Sequence, residues 1–209
     1  WRSEEISEYL VNQGFGQFDP KEFATLTKDQ EGYLFPDTYL LPKQTTAKQV
    51  YQLLRDTFDK KVTTGLAQEI DASGHDLRQN MIMASIVQRE GREPSQMSGI
   101  AGVLWNRLKI GMPLQADATL QYAKGYDQQS KTWWSEPLAA DKDSTSLFNT
   151  YKNPGLPPRP IANPGLDAIE ATLKPDTHGY LYYISDRQGN IHFAKTYDEH
   201  LQLVNKYLK

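Results

Sequence analysis

The sequence predicts an α+β fold: a helical core that carries a small antiparallel sheet, preceded by a small N-terminal helical part. Apolar residues recur at helical spacing in successive stretches up to residue 109, and two β-prone runs flank a glycine turn near the C-terminus. Between them lies NPGLPPRPIANPG (153–165), too rich in proline for a helix interior or a central strand.

The elements follow in order. Residues 4–13 put Ile6, Tyr9 and Leu10 on one helical face and stop at Gly14. Asp19-Pro20-Lys21-Glu22 then has the N-cap, the proline and the acid of a helix start. From 47 to 62, Val50, Leu53, Leu54, Thr57, Phe58 and Val62 keep the period, and 77–90 and 95–109 repeat it, the latter ending at Gly111. Periodicity fades between Gly111 and Pro160, which reads as a long, semi-rigid loop region. Asn163-Pro164 is expected to cap a helix running to about Leu173. YLYYIS (180–185) and IHFAKT (191–196) read as a β-hairpin turning at Gly189, with a last helix from Asp198 to Leu208. LPKQTT, near 43–47, is the natural seam, dividing the chain into 1–43 and 44–209.

Composition narrows the function. The 209 residues are 38% hydrophobic and 11% aromatic with a formal charge of −3, so a core of ordinary size is available and no basic stripe points to nucleic acid. The absence of cysteine excludes a disulfide framework, a thiol nucleophile and a Cys-ligated zinc, and leaves the redox compartment open. His75, His178, His192 and His200 form no HExxH pair, and no GxSxG or phosphate-binding glycine loop is present, so neither a metal nor a cofactor is expected. No apolar run approaches the ~18 residues of a spanning helix. The chain begins at Trp1 with neither Met nor a signal peptide, and is expected to be a fragment or processed form.

One acid stands out of phase. In ASIVQRE (84–90), Met83, Ile86, Val87 and Glu90 fall at i, i+3, i+4 and i+7, so Glu90 continues an apolar stripe. Desolvation there would raise its pKa toward the range of a general acid. The alternative is an end-of-helix acid turned to solvent or paired with Arg89, Arg92 or Arg107. Elsewhere polar groups and rings interleave: Glu31 and Asp37 in EGYLFPDTY (31–39), Gln115, Asp117, Thr119 and Tyr122 after Gly111, Asn149 and Tyr151 in NTY, and the Trp133-Trp134 pair. Together they suggest a polar-aromatic groove suited to an extended glycan.

Five segments in this order, EGYLFPDTY, ASIVQRE, NRLKIGMPLQADAT, FNTYKNPGLPPRPIANPGLDAIEATL and YLYYISDRQGNIHFAKTYDEH, resemble the YceG-like family, the endolytic murein transglycosylases called MltG. The resemblance spans roughly residues 30–200. It implies cleavage of peptidoglycan strands between N-acetylmuramic acid and N-acetylglucosamine with a 1,6-anhydro end. It also implies a membrane-anchored parent on the extracytoplasmic face, with a LysM-like piece of which residues 1–43 would be the end, and peptidoglycan synthases of elongation or division as partners. The family's helix motif usually reads IVEKE. Here it is Ile86-Val87-Gln88-Arg89-Glu90, so the acid that remains is Glu90. Further departures fall at Ala116, Ala118 and Arg159, where the family usually carries Thr, Pro and Gly, and bear on substrate preference.

Lytic cleavage needs a single carboxyl, because the sugar's own C6 hydroxyl is the nucleophile. The expected site therefore has Glu90 as acid and base, with Gln115, Asp117, Asn149, Tyr151 and Glu31 orienting the substrate or stabilising developing positive charge. Turn and cap duties are the competing roles for those five. Two rival functions stay open: a muramidase-type hydrolase, which would use two carboxyls about 5–9.5 Å apart with Asp117, Glu31 or Asp37 as the second, and a non-catalytic glycan-binding scaffold.

Overall fold

A computed structural model describes residues 1–209. Helix α1 (Ser3–Asn12) starts with the Arg2 amide donating to Glu5 Oε2 at 2.8 Å, and α2 (Pro20–Thr27) starts with Asp19 Oδ1 accepting from the Lys21 amide at 2.8 Å. Helix α1 packs on α2, and α2 packs on α3 (Ala47–Phe58), which begins in a Thr46/Gln49 capping box. Leu10, Phe18, Phe23, Leu34, Ala47, Val50 and Leu54 form one cluster, so a shared core bridges the expected seam at 43–47. Beyond Phe58 the expected helix changes pitch into a π-helical turn, Asp59–Thr64, followed by the short α4 (Ala67–Ala72).

The centre of the molecule is α5 (Leu77–Glu90), started by an Asp76/Gln79 capping box. Every residue from Asn80 to Val87 is buried, because α5 is covered on two faces. Met81 and Ala84 join Phe35, Phe58, Val62, Ile169 and Leu173 on one side, while Met83, Ile86 and Val87 join Ile100, Ala101, Leu104 and Ile161 on the other. Each fully buried aliphatic side chain of this kind stabilises the fold by about 1.5–3 kcal/mol relative to exposure. Helices α6 (Pro94–Lys109) and α8 (Leu166–Leu173) complete the central layer.

Helix α6 also sets where the sheet sits. A methyl group at Gly102 would lie 2.5 Å from the Asp176 carbonyl oxygen, and one at Gly99 would meet the Phe193 ring at 2.6 Å. Glycine costs roughly 1 kcal/mol relative to alanine inside a helix, and here it allows the chain after α8 to lie directly on α6. Asn106 Nδ2 donates to the carbonyls of His178 and Tyr180 at 2.8 and 3.1 Å, and Arg107 Nε to that of Leu181 at 2.6 Å. Strands β1 (Tyr182–Ser185) and β2 (Ile191–Ala194) follow as an antiparallel pair, with Tyr183 opposite Phe193 and Gly189 at φ +91° in the turn. The final helix α9 (Tyr197–Tyr207) opens with a Thr196/Glu199 capping box and lies on the hairpin. The α+β class is therefore as expected. No helix is long and apolar enough to cross a membrane.

Two local expectations are corrected. The stretch after Gly111 contains a helix, α7 (Asp117–Lys124), and a 3₁₀ turn at Ala139–Asp143. No side chain caps α7, and it is held by tertiary contacts: Thr119 Oγ1 lies 2.9 Å from Thr150 Oγ1, and the Ala116 amide donates to that same hydroxyl at 3.1 Å. Asn163 does not cap α8, whose N-cap is Gly165. The Asn163 side chain is buried in a long-range knot instead. Its Oδ1 accepts from the amides of Gly32 and Leu34 at 2.8 and 3.0 Å, and its Nδ2 donates to Glu31 Oε1 at 2.6 Å and to the Trp1 carbonyl at 3.2 Å.

Candidate active site

Glu90 is the last residue of α5, and Gly91 ends the helix with its amide still bonded to the Val87 carbonyl at 2.9 Å. The apolar stripe that precedes Glu90 is wholly buried, and Glu90 itself, half-buried, lines a cleft of about 320 Å³. Gln115, Asp117 and Tyr151 line the same cleft, together with Tyr182 and Tyr183 of β1. The structure thus brings together four of the six site residues expected from the sequence.

Tyr183 donates its hydroxyl proton to Glu90 Oε2 at 2.9 Å. Burial pushes the Glu90 carboxyl above its ordinary pKa; the Tyr183 hydrogen bond pulls it back, the Asp117 charge raises it further, and the Ala118 amide and Arg89 lower it. No salt bridge joins Glu90 to a cation. Of the arginines expected as alternative partners, Arg89 stacks over the Trp134 ring at 3.8 Å, and Arg107 spends its donors on backbone carbonyls, including Leu181 and Leu114. The pKa of Tyr183 is raised well above its usual value, first by burial and then by Glu90, so Tyr183 stays a phenol and a donor.

The second polar pair is Tyr151 and Asp117. The Tyr151 hydroxyl donates to Asp117 Oδ1 at 2.7 Å, and burial followed by this hydrogen bond raises the phenol's pKa. Asp117, in the first turn of α7, leaves its other oxygen free of Tyr151. Gln115 has φ +51°, a left-handed backbone that a non-glycine residue adopts at a cost of roughly 1–2 kcal/mol. Its amide bonds the Thr150 carbonyl at 3.1 Å, which ties the strained corner to the chain carrying Tyr151.

Two expected site residues lie elsewhere. Asn149 is fully buried, donating to the carbonyls of Lys142 and Ser144 at 3.0 and 2.8 Å and accepting from the Tyr151 amide at 3.0 Å, so it shapes the loop that presents Tyr151. Glu31 borders a separate, larger cavity of about 620 Å³ between α1, α2 and the loops of Trp133 and Arg159. There its carboxyl oxygens accept from the Ser3 amide and hydroxyl and from Asn163. Glu90, Asp117 and Tyr151 all line the smaller cleft and not this cavity. Of the other acids, Asp37 is exposed and paired with Lys61 at 2.6 Å. The Trp133 and Trp134 indoles donate to Glu8 and Glu5 of α1 at 3.1 and 2.9 Å, and neither lines the Glu90 cleft. Gln88, which stands where the family motif carries its first acid, accepts from the Gly165 amide at 2.8 Å and secures the start of α8.

Glu31 has a consequence for stability. Burial, reinforced by Glu4, lifts its carboxyl from the ordinary 4.5 to about 7. A folded-state pKa above the unfolded one means the native protein holds the extra proton, so stability is complete below about pH 4.5 and is lost as pH rises through about 7. Glu31→Gln is therefore expected to raise the melting temperature at pH 8 and to change it little near pH 4.5, as thermal denaturation at the two pH values would show. Equal shifts at both would contradict the buried, protonated carboxyl.

Sequence reasoning missed Tyr183, Tyr182, Tyr197 and His200 in the cleft lining, and offered Arg107 only as an ion-pair partner of Glu90. The run YLYY was visible as a strand, but its approach to Glu90 depends on how α6 holds residues 178–181.

The YceG-like family matches residues 1–206. A Bacillus subtilis protein named endolytic murein transglycosylase is 36% identical over 179 residues, which is 85% of this chain and 48% of the relative. A Streptococcus pneumoniae protein of the same name is 33% identical over 179 residues, 85% of this chain and 32% of the relative. The chain thus spans about half the length of the first and about a third of the second. A crystal structure of a YceG-like protein from Listeria monocytogenes superposes with a TM-score of 0.81 at 28% identity, covering 97% of this chain and 73% of that one. With a family match that runs nearly end to end and a shared fold, the chain belongs to the YceG-like family.

Proposed function

We propose that this chain carries the catalytic cleft of an endolytic murein transglycosylase, which cuts peptidoglycan strands between N-acetylmuramic acid and N-acetylglucosamine and leaves a 1,6-anhydro-muramic end. The observation that carries the reading is Glu90: desolvated, without a cationic partner, and bonded on one oxygen by a phenol. Because Tyr183 donates to Oε2, the acidic proton belongs on Oε1, available to the cleft. That proton passes to the glycosidic oxygen as its bond to C1 of the muramic residue breaks. The carboxylate so formed takes the proton of the C6 hydroxyl, and O6 closes on C1. One bond breaks, one forms, Glu90 regains its proton, and no water is consumed.

Asp117 acts as the anionic partner of the oxocarbenium-like transition state, held in position by Tyr151. Its charge also favours the protonated form of Glu90. Gln115 offers its amide to the sugar's hydroxyl or acetamido groups from a fixed backbone corner. Asn149 is assigned to holding the Tyr151 loop, and Glu31 to the core around α1. Peptidoglycan is extracytoplasmic, so the cleft would work outside the cytoplasmic membrane, beside the synthases that lay the strands down.

The presence of Asp117 in the cleft favours one second reading, a hydrolase that uses it as the other carboxylate of the pair. The two differ in product: hydrolysis leaves a reducing end.

The acid assignment is tested by pH dependence. With Glu90 required in its protonated form, kcat/KM falls as pH rises through its pKa. The Tyr183 hydrogen bond favours the carboxylate, so Tyr183→Phe is expected to move that alkaline limb upward by about one to two pH units. A limb that stays in place in Tyr183→Phe would remove Glu90 as the titrating acid.

A further inference from the structure

Helix α9 rests on the hairpin without burying any of its residues, and Tyr197 in its first turn is 57% exposed. Tyr197 and His200, one turn apart, line the Glu90 cleft together with Tyr182. The three rings converge: centroids lie 6.0 Å apart for Tyr182 and Tyr197, 5.4 Å for Tyr182 and His200, and 6.0 Å for Tyr197 and His200. The Tyr197 and His200 planes are inclined to that of Tyr182 by 53° and 30°. The Arg107 guanidinium supports Tyr182 at 5.2 Å from its centroid, and the same arginine is anchored on the Leu181 and Leu114 carbonyls. His200 Nδ1 has no hydrogen-bond partner, so ring packing positions the imidazole. Burial and the charge of Arg107 both lower its pKa, which favours the neutral ring.

Rings that served only to fasten α9 would be covered by it, yet the outermost of these is mostly in water. Their cleft is polar around Glu90, Gln115 and Asp117 and aromatic at this end. A pyranose needs that pairing, since its C–H face packs on aromatic surface while its hydroxyl and acetamido groups seek polar partners.

We propose that Tyr182, Tyr197 and His200 form a saccharide subsite, which holds the apolar face of an N-acetylhexosamine ring next to the sugar being cleaved at Glu90. The proposal rests on the glycan-cleaving reading and adds to it where the neighbouring ring is held.

The test uses the whole chain with Glu90→Gln as the parent, so that binding is read without turnover. Uncrosslinked glycan strands are titrated by calorimetry into this parent and into versions that also carry Tyr197→Leu or Tyr197→Phe. Leucine keeps bulk and loses the ring; phenylalanine keeps the ring. Affinity is expected to fall about tenfold with leucine and to be retained with phenylalanine. In the parent, saturation of aromatic protons is expected to transfer to ring C–H protons of the bound sugar, and to weaken with leucine. Strands that bind the leucine version as tightly as the parent would overturn the subsite and leave the catalytic reading standing. A parent that binds no strands would overturn both. Because Tyr197 is exposed, each version should melt within a degree or two of the parent, on the order expected for a surface change.

Discussion

Replacing Glu90 by glutamine is expected to lower the turnover of glycan strands by about 10²–10⁴-fold while leaving their binding near that of the wild-type chain. Glutamine has almost the same shape, and its amide oxygen can still accept from Tyr183, so the cleft keeps its form. What is lost is the acidic proton. In a lytic mechanism the same carboxyl acts twice, first on the leaving oxygen and then on the C6 hydroxyl, so no second group compensates. Rates measured on uncrosslinked strands, with affinity measured in parallel, separate the two effects. Turnover within about tenfold of wild type would show that another group supplies the proton.

A large stability effect is expected at Asn163. Asn163→Ala leaves the amides of Gly32 and Leu34 without acceptors in a buried setting, and takes a donor from Glu31. An orphaned buried donor costs about 1–3 kcal/mol, so a loss of about 2–6 kcal/mol is expected from the pair. The surroundings cannot close over the gap by shifting the Gly32 corner. Gly32 sits at φ +91° against Pro160, whose ring leaves no room even for a methyl group there. Asn163→Asp should restore the acceptor for both amides but set a second carboxylate against Glu31, so its deficit should grow as pH rises through about 7. Chemical denaturation checks both; an Asn163→Ala loss below about 1 kcal/mol would mean that water satisfies the two amides.

Asn163 also shows where local sequence rules stop. Asn followed by Pro-Gly is a helix-start pattern, and α8 does begin at Leu166, but the side chain's partners are Glu31, Gly32, Leu34 and Trp1, far away in the chain. Helices α5 and α6 were legible because their signal is local, an apolar period that for α6 ends at Gly111. The hairpin was legible from Gly189 between two β-prone runs. Helix α7 was not, since its eight residues carry no cap of their own and depend on Thr150, some 30 residues later.

The site divides in the same way. Glu90 could be read from helical phase, because an acid on an apolar stripe has few places to go. Gln115, Asp117 and Tyr151 came from polar residues set among rings, and the fold gathers them around Glu90. The same pattern also selected Asn149 and Glu31, whose polarity serves buried carbonyls and amides instead. Tyr183 touches Glu90 from 93 residues away, through the seating of the hairpin on Gly99, Asn106 and Arg107 of α6, and nothing local to either residue announces it.

Mass spectrometry of the products that the wild-type chain releases from uncrosslinked glycan strands separates lytic cleavage from hydrolysis. Single-carboxyl lytic cleavage by Glu90 requires fragments ending in 1,6-anhydro-muramic acid, lighter by one water than their hydrolysed counterparts. Fragments with ordinary reducing ends would contradict it and make Asp117 the second carboxylate of a hydrolase.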